Sequence, residues 1–249
     1  SVIIDGVNVG YLGELHPTVA KNYNIGTKVY LAVLNMEELI KASWVRGVYK
    51  NIWIEQFKKM SLLAYENADM VTCLYDHARK LQIELGCPAE KIRVTPNGIN
   101  VEALAGLPGK TEEEQQFINA GAVLRVTPIK DVKTMIQAFA FAKKRVKNMK
   151  LWIMGPADED EKYAKECYDL VESLGVKDVE FTGRVNVRDY LGKMDFTLLT
   201  SISEGQPLTI LESYAAHKPV ITTDVGNCRE LIYGNEDGFG DAGIRIKTD

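Results

Sequence analysis

The chain has 249 residues, 46% of them hydrophobic, and a formal net charge of -4, enough to bury a sizeable core in one large or two small domains. Its acids and bases are interspersed, with no long single-sign block of the kind that marks a nucleic-acid arm or a membrane-binding face. No apolar run reaches the roughly 20 residues of a membrane helix, and the start SVIIDGVNVG lacks the basic region and long apolar core of a signal peptide, so the expected location is the cytoplasm.

In chain order, SVII (1–4) and KVYLAVL (28–34) predict strands. The stretch MEELIKASWVRGVYKNIWIEQFKKMSLLAYENA (36–68) predicts a long helical region, starting at Met36, in which Gly47 marks a break. Its Trp44, Tyr49, Trp53, Phe57 and Leu63 read as packing for a core or a domain interface. A strand (DMVTCLY, 69–75), a helix (HARKLQIELG, 77–86) and a strand (KIRVTP, 91–96) follow. Then NGINVEALAGLPGKTEEEQQ (97–116), with its Gly, Pro and acidic residues, reads as a linker.

From Phe117 onward the pattern is regular. FINAGAVL, KLWIMG, VEFTG, FTLLT and PVITT are short continuous apolar runs, the mark of strands buried on both faces. Between the first three lie DVKTMIQAFAFAKKRV and DEKYAKECYDLVESLG, whose apolar residues recur at helical spacing. This alternation predicts a parallel sheet with helices on its faces. The expectation is thus an α/β chain in two parts: residues 1–110, a partial amino-terminal α/β domain and linker with too few strands to be complete, and residues 111–249, a doubly wound domain truncated at its end. A start in an apolar strand without an initiator Met, and a stop at IRIKTD with no closing helix, read as a fragment of a longer protein.

Cys73, Cys87, Cys167 and Cys228 are scattered and form no CxxC pair, so they read as reduced thiols filling small gaps. His16, His77 and His217 are equally dispersed, and no zinc site is expected. DGVNVGYLG is glycine-rich, but Gly6, Gly10 and Gly13 do not have dinucleotide-binding spacing, and no GxSxG occurs. The acids Asp158 to Glu161 read as the first turn of a helix, where the backbone dipole favours negative charge.

Two stretches carry chemistry. In SEGQPLTILESYAAHKPVITTDVG (203–226), Glu204 stands in the loop after a strand, where open α/β sheets gather their ligands. Pro207 lies at the first helical turn, and the free amides from Gln206 to Thr209 can face an anion. At about 100° per residue, Leu208, Leu211 and Ala215 form the predicted buried stripe with Tyr214 at its margin. Glu212 falls on the other margin, where its carboxylate needs water or hydroxyl donors such as those of a sugar or ribose. In AGAVLRVTPIKDVKT (120–134), Arg125 leaves a strand and Lys130 precedes a helix that Asp131 is placed to cap. A surface Arg and Lys alone are plain solubilising charges. At a strand's carboxyl end beside helix amides they make a diphosphate clamp, Arg as a fork and Lys as a point charge.

The E-x7-E pair of Glu204 and Glu212, followed by an Ala-rich turn and taken with RVTPIK, resembles the donor domain of retaining nucleotide-sugar glycosyltransferases of family 4, with the GT-B fold. WVRGVYKNIWIEQF, KIRVTPNGIN, RVTPIKDVKT, GPADEDEKYAKEC, TSISEGQPLTILES and TDVGNCRELIYG resemble, more narrowly, the Pel-type exopolysaccharide branch, over residues 37 to 235.

The resemblance implies a Rossmann-like donor domain and hexosyl transfer from a UDP-sugar, UDP-glucose by the Pel-type likeness, to a growing polysaccharide or other glycan with retention of configuration. It implies that Arg125 and Lys130 hold the diphosphate and stabilise the leaving nucleotide. Glu212 would take the ribose hydroxyls, and Glu204, with the backbone of Gly205, Gln206, Pro207 and Leu208, would contact the transferred sugar. Arg184 and Val185, after Gly183, would lie near the base. Arg125, Lys130 and Glu204 are thus the expected catalytic residues; no metal and no cofactor beyond the donor substrate is implied. A nucleic-acid partner is not expected, whereas association with a membrane polysaccharide-export complex is.

Pel-type relatives carry a Glu-His-Gly loop and an Arg-rich turn where residues 22–39 here read NYNIGTKVYLAVLNMEEL. DGVNVG is a faint echo of that loop with Asp5 in the His position. Two other readings therefore stand beside transfer: a nucleotide-sugar-binding module without turnover, and a nucleotide-sugar epimerase of the same architecture.

Overall fold

The computed structural model describes residues 2–4, 7–14, 16–22, 30–34, 49–234 and 241–247. The expectations for Asp5, Gly6, Met36, Trp44 and Gly47 fall outside these residues. By compactness the chain divides into two units, residues 1–71 with 82–91, and residues 72–81 with 92–249.

In the first unit, β1 (Val2–Ile4), β2 (Val7–Glu14) and β3 (Tyr30–Leu34) form an antiparallel sheet in the order β1-β2-β3. The glycine-rich VNVGYLGE is a strand and not a loop. Gly10 pairs with both Val2 and Leu34, and a residue without a side chain fits a central strand as well as a turn. Helices α1 (Pro17–Asn22) and α2 (Tyr49–Asn67) follow their respective strands. On α2, Phe57 and Leu63 are 50% and 60% exposed, so they do not form the buried packing that their apolar character predicts.

The second unit carries the predicted parallel sheet. The short strands β4 (Val71–Cys73) and β5 (Ile92–Val94) pair with each other, and α3 (Asp76–Glu84) and α4 (Glu102–Ala105) lie before the main sheet in sequence. That sheet comprises β6 (Ile118–Val123), β7 (Met149–Met154), β8 (Val179–Gly183), β9 (Phe196–Leu199), β10 (Val220–Thr223) and β11 (Gly243–Ile246). The order is β11-β10-β9-β6-β7-β8 and every pairing is parallel. Helices α5 (Val132–Lys143), α6 (Glu161–Ser173), α7 (Arg188–Leu191), α8 (Leu208–Ala215) and α9 (Cys228–Tyr233) alternate with the strands.

Continuous burial of Asn119 to Ala122 in β6 is what a strand covered on both faces requires. Ala120, Ala122, Leu124 and Val126 pack with Val132, Met135, Ile136 and Phe139 of α5 and with Leu151 and Ile153 of β7 in the principal core. Leu199, Ile210, Val220, Cys228 and Ile232 form a second cluster under α8 and α9. The chain winds outward from β6 through β7 to β8, returns to the other side of β6 as β9, and winds outward again through β10 to β11. The strand order therefore reverses between β6 and β9, and the carboxyl ends of these two strands frame the crevice where doubly wound sheets bind ligands.

Candidate functional site

At that reversal the loops leaving four strands are tied together. Leu124 N–H donates to Met154 O (3.0 Å) and Val126 N–H to Pro156 O (2.8 Å), so the exits of β6 and β7 run side by side. Gly155 (φ +149°) permits this, because a Cβ there would lie 1.8 Å from Leu124 O. After the tight turn Pro128–Lys130, Asp131 adopts φ 44°, ψ 53° and accepts Thr134 N–H at 3.3 Å, capping α5 as its position predicts. From the β9 exit, Thr200 Oγ1 donates to Lys130 O (2.9 Å) and Asp131 O (3.0 Å), and Ile202 N–H to Ile129 O (2.9 Å). From the β10 exit, Thr223 Oγ1 donates to Ser201 O (2.6 Å) and Asn227 N–H to Gly205 O (2.8 Å). Gly226 (φ +54°) lies so close beneath this loop that a Cβ would sit 2.2 Å from Glu204 O.

The rigid frame holds charge. Lys130 Nζ is 2.5 Å from Glu204 Oε1, with only 18% and 11% of the two side chains exposed, and Ser201 Oγ donates to the same carboxylate oxygen at 2.6 Å. Arg125 Nη1 reaches Glu159 Oε2 at 2.8 Å, and Arg184 Nη2 lies 3.5 Å from Asp158 Oδ1. Arg125, Lys130, Arg184, Val185 and Thr209 line one hollow of ≈ 460 Å³ at the strands' carboxyl ends.

Thr209 brings the start of α8 to this hollow. Pro207 is extended (φ -70°, ψ 119°), no side chain caps the helix, and Ile210 N–H turns back to Pro207 O at 3.2 Å. The N–H groups of Leu208 and Thr209 carry no hydrogen bond among the described residues, which leaves a helix mouth able to receive an anion. One turn further on, Glu212 is half-buried, its carboxylate has no hydrogen-bond or ion-pair partner among the described residues, and burial pushes that carboxyl above its ordinary value.

The sequence-predicted residues divide accordingly. Arg125, Lys130, Arg184 and Val185 share the hollow, and Glu204 joins them through Lys130. Gly205, Pro207 and Leu208 form the adjoining loop and helix start, while Glu212 stands on the helix outside the hollow's lining. Gln206 points elsewhere. It is 8% exposed, its Oε1 accepts Asn97 N–H at 2.6 Å and its carbonyl accepts Asn97 Nδ2 at 2.9 Å, so its side chain fixes the loop.

The buried stripe of α8 also differs from the predicted one. Leu208 is 45% exposed, whereas Ile210 and Ser213 are fully buried beside Ala215. Ser213 tolerates this because Thr197 Oγ1 donates to its hydroxyl at 2.8 Å and the hydroxyl in turn donates to Thr209 O at 2.6 Å. Asp160 caps α6 through Tyr163 N–H (2.9 Å), as expected of the acidic turn, but Asp158 and Glu159 reach the two arginines of the hollow instead. Asn97, Ser201 and Gly226 were not legible as site residues; the stretches TPNGIN, TSIS and TDVG carry them without any spacing that singles them out.

Residues 114–244 match the family described as glycosyl transferases group 1. Residues 33–90 match a domain of unknown function, and residues 1–36 the CLM domain of the phenylalanyl tRNA synthetase beta chain. The amylovoran biosynthesis glycosyltransferase AmsK of Erwinia amylovora is 30% identical over 163 residues, 63% of this chain and 40% of the relative. The phenylalanine–tRNA ligase beta subunit of Listeria monocytogenes is 32% identical over 90 residues, 34% of this chain but 11% of that protein. Among solved structures, Anabaena HepE in complex with UDP and glucose superimposes with a TM-score of 0.63 at 20% identity, covering 76% of this chain and 52% of its own. The chain thus spans about half or less of the length of the glycosyltransferases it matches. The likeness to HepE shows the fold: the protein is α/β with a Rossmann-like parallel sheet, like the GT-B enzymes.

Proposed function

The chain belongs to the glycosyl transferases group 1 family, and from that premise we propose that its parallel-sheet unit holds the nucleotide-sugar donor of a glycosyltransferase. The observation that carries the reading is the convergence of Arg125, Lys130, Arg184 and the uncapped start of α8 on one hollow at the sheet's switch point. A nucleoside diphosphate leaving group needs positive charge where its own negative charge develops, and cations fixed in a frame supply it without reorganising. In this reading Arg125 and Lys130 grip the diphosphate, and Leu208 and Thr209 amides add the helix mouth. Glu212 receives the ribose hydroxyls, and Arg184 and Val185 border the base. Glu204, held by Lys130 and Ser201, faces the transferred sugar with Gly205 and Pro207.

In the reaction the bond from the sugar's anomeric carbon to the diphosphate oxygen breaks and the electron pair stays with the nucleotide. The acceptor hydroxyl oxygen forms the new bond to the anomeric carbon, and its proton passes to the departing diphosphate. UDP-glucose is the proposed donor and a polysaccharide or other glycan the acceptor, with retention of configuration, in the family 4, Pel-type manner and in the cytoplasm. HepE's complex with UDP and glucose and AmsK's role in amylovoran biosynthesis support the donor class and the polysaccharide context respectively. Residues 111–249 are the proposed donor domain, and association with a membrane polysaccharide-export complex is part of the same reading. Calorimetric titrations with UDP, UDP-glucose and ADP-glucose, followed by product analysis with a glycan acceptor, test it: uridine preference and a lengthened glycan support it, and indifference to all three nucleotides removes it.

A second reading rests on the family match ending at residue 114 on its amino-terminal side. The chain would then bind the donor without turning it over, and donor affinity with no sugar consumed under any acceptor would favour it.

A further inference from the structure

The pole of the main sheet opposite the hollow is where α5 turns into β7 and α6 turns into β8. Here Lys143, Lys144, Lys147 and Lys177 surround an open depression of ≈ 510 Å³ together with Phe141 and Leu174, which are 61% and 45% exposed. Lys143 is accounted for, since it donates to Met149 O at 2.6 Å and pairs with Asp178 at 2.5 Å. Arg145 lies over the Phe141 ring, 5.3 Å from its centroid. Lys144, Lys147 and Lys177 are exposed, and their ammonium groups carry no hydrogen bond or ion pair among the described residues. The dipole of α5 accounts for a cation in or next to its last turn, but Lys147 and Lys177 stand beyond the helix ends. A surplus of positive charge around two exposed apolar side chains thus sits on a chain whose net charge is -4. Three of the four lysines come from one basic run, KKRVKNMK (143–150), and Lys177 joins them from some thirty positions further along the chain.

We propose that this pole is a docking face for an anionic membrane surface. Lysine stems can lie along the headgroups with their ammonium groups on lipid phosphates, while Phe141 and Leu174 enter the acyl boundary, the division of labour of interfacial protein surfaces. The depression is open and its unpaired charged groups are all cationic donors on long flexible stems, which fits a fluid sheet of phosphates better than one acidic peptide of fixed shape. Docking at the amino ends of the strands leaves the hollow at their carboxyl ends clear, so the inference stands independently of the donor reading.

The test is co-sedimentation of the whole chain with phosphatidylcholine vesicles containing about one-third phosphatidylglycerol, against vesicles of phosphatidylcholine alone. Binding to the anionic vesicles only, released by high salt, is expected. The variant K144E/K147E/K177E should lower the partition coefficient by a hundredfold or more, from about fivefold for each lysine charge removed. Phe141→Ser should lower it several-fold, and both variants should keep the far-UV spectrum and UDP affinity of the parent. No binding of the parent to anionic vesicles would overturn the proposal, as would equal binding by the triple variant. Capture by soluble polyglutamate without vesicle binding would assign the patch to an acidic protein instead.

Discussion

The two poles of the parallel sheet treat positive charge in opposite ways. At the carboxyl ends each cation of the hollow has a carboxylate partner, Lys130 with Glu204, Arg125 with Glu159 and Arg184 with Asp158. At the amino ends Lys144, Lys147 and Lys177 have none among the described residues. Desolvation explains the pairing of Lys130, while Arg125 and Arg184, 55% and 68% exposed, are paired at the surface. Lys130 and Glu204 are largely withdrawn from water, and a lone charge there would be costly, so each stabilises the other when no ligand is bound. Among the four lysines around the depression at the amino pole, only Lys143, whose side chain is 15% exposed, has a carboxylate partner among the described residues, Asp178, whereas Lys144, Lys147 and Lys177 stay in solvent and need none. If the crevice receives a diphosphate, as proposed, its carboxylates are the groups exchanged for it, whereas an open face can leave its charge free.

Substitutions can break this contrast, and the largest effect is expected at Lys130. Lys130→Ala should lower transfer at least a hundredfold in steady-state kinetics, the loss of one group that stabilises the developing charge. It also leaves Glu204 buried without its cation, so thermal stability should fall; combining it with Glu204→Gln should recover stability but not transfer. Gly226→Ala comes next. A left-handed backbone costs an L-residue about 1–2 kcal/mol, and the added Cβ also meets the carbonyls of Glu204 and Gly205. A lower midpoint of chemical unfolding is expected together with weaker UDP binding, because the loop that carries Glu204 must shift.

Glu212→Gln separates ligand from scaffold. It should weaken UDP binding in calorimetry about tenfold, by removing a carboxylate that accepts from ribose hydroxyls. Yet it should stabilise the free protein modestly, because a neutral amide is less costly to half-bury without a partner than a carboxylate. The sign with pH follows from the raised carboxyl of Glu212. The unfolded chain releases this proton at lower pH than the folded one, so native stability is lost as pH rises from the ordinary glutamate value through the raised one. The advantage of the Gln variant should accordingly appear above that window and vanish below pH of about 4 in thermal unfolding scans. The smallest effect belongs to Glu159→Gln. Its pair with Arg125 is substantially exposed, so freeing the guanidinium should tighten UDP binding only about two- to threefold, and only at low salt.

Much of the sheet, and the gathering of Arg125 and Lys130 at its edge, was legible in the sequence because local pattern and tertiary role agree there. FINAGAVL, KLWIMG, VEFTG, FTLLT and PVITT are all strands, and Asp131 caps α5. Arg125 and Lys130 lie in one hollow because strand exits in a parallel sheet gather at one edge. What escaped were features fixed by partners distant in sequence. Gln206 faces Asn97, 109 positions away, and Ser213 is buried only because Thr197 and Thr209 satisfy its hydroxyl. A helical wheel counts apolar residues and so assigned Leu208 to the core. In the amino-terminal unit, the glycine-rich VNVGYLGE carried no strand assignment from its sequence and is a central strand through pairing on both sides.

The central claim is that one nucleoside diphosphate occupies the hollow lined by the exits of β6, β7 and β8 and the start of α8. Its most direct measurement is the calorimetric titration of UDP into the parent chain and into Lys130→Ala, with folding of both checked by circular dichroism. Saturable binding that weakens about tenfold in the variant is the predicted result, the scale of one charge-assisted contact to phosphate. Equal affinity in the two folded proteins, or no binding to the parent, would contradict it.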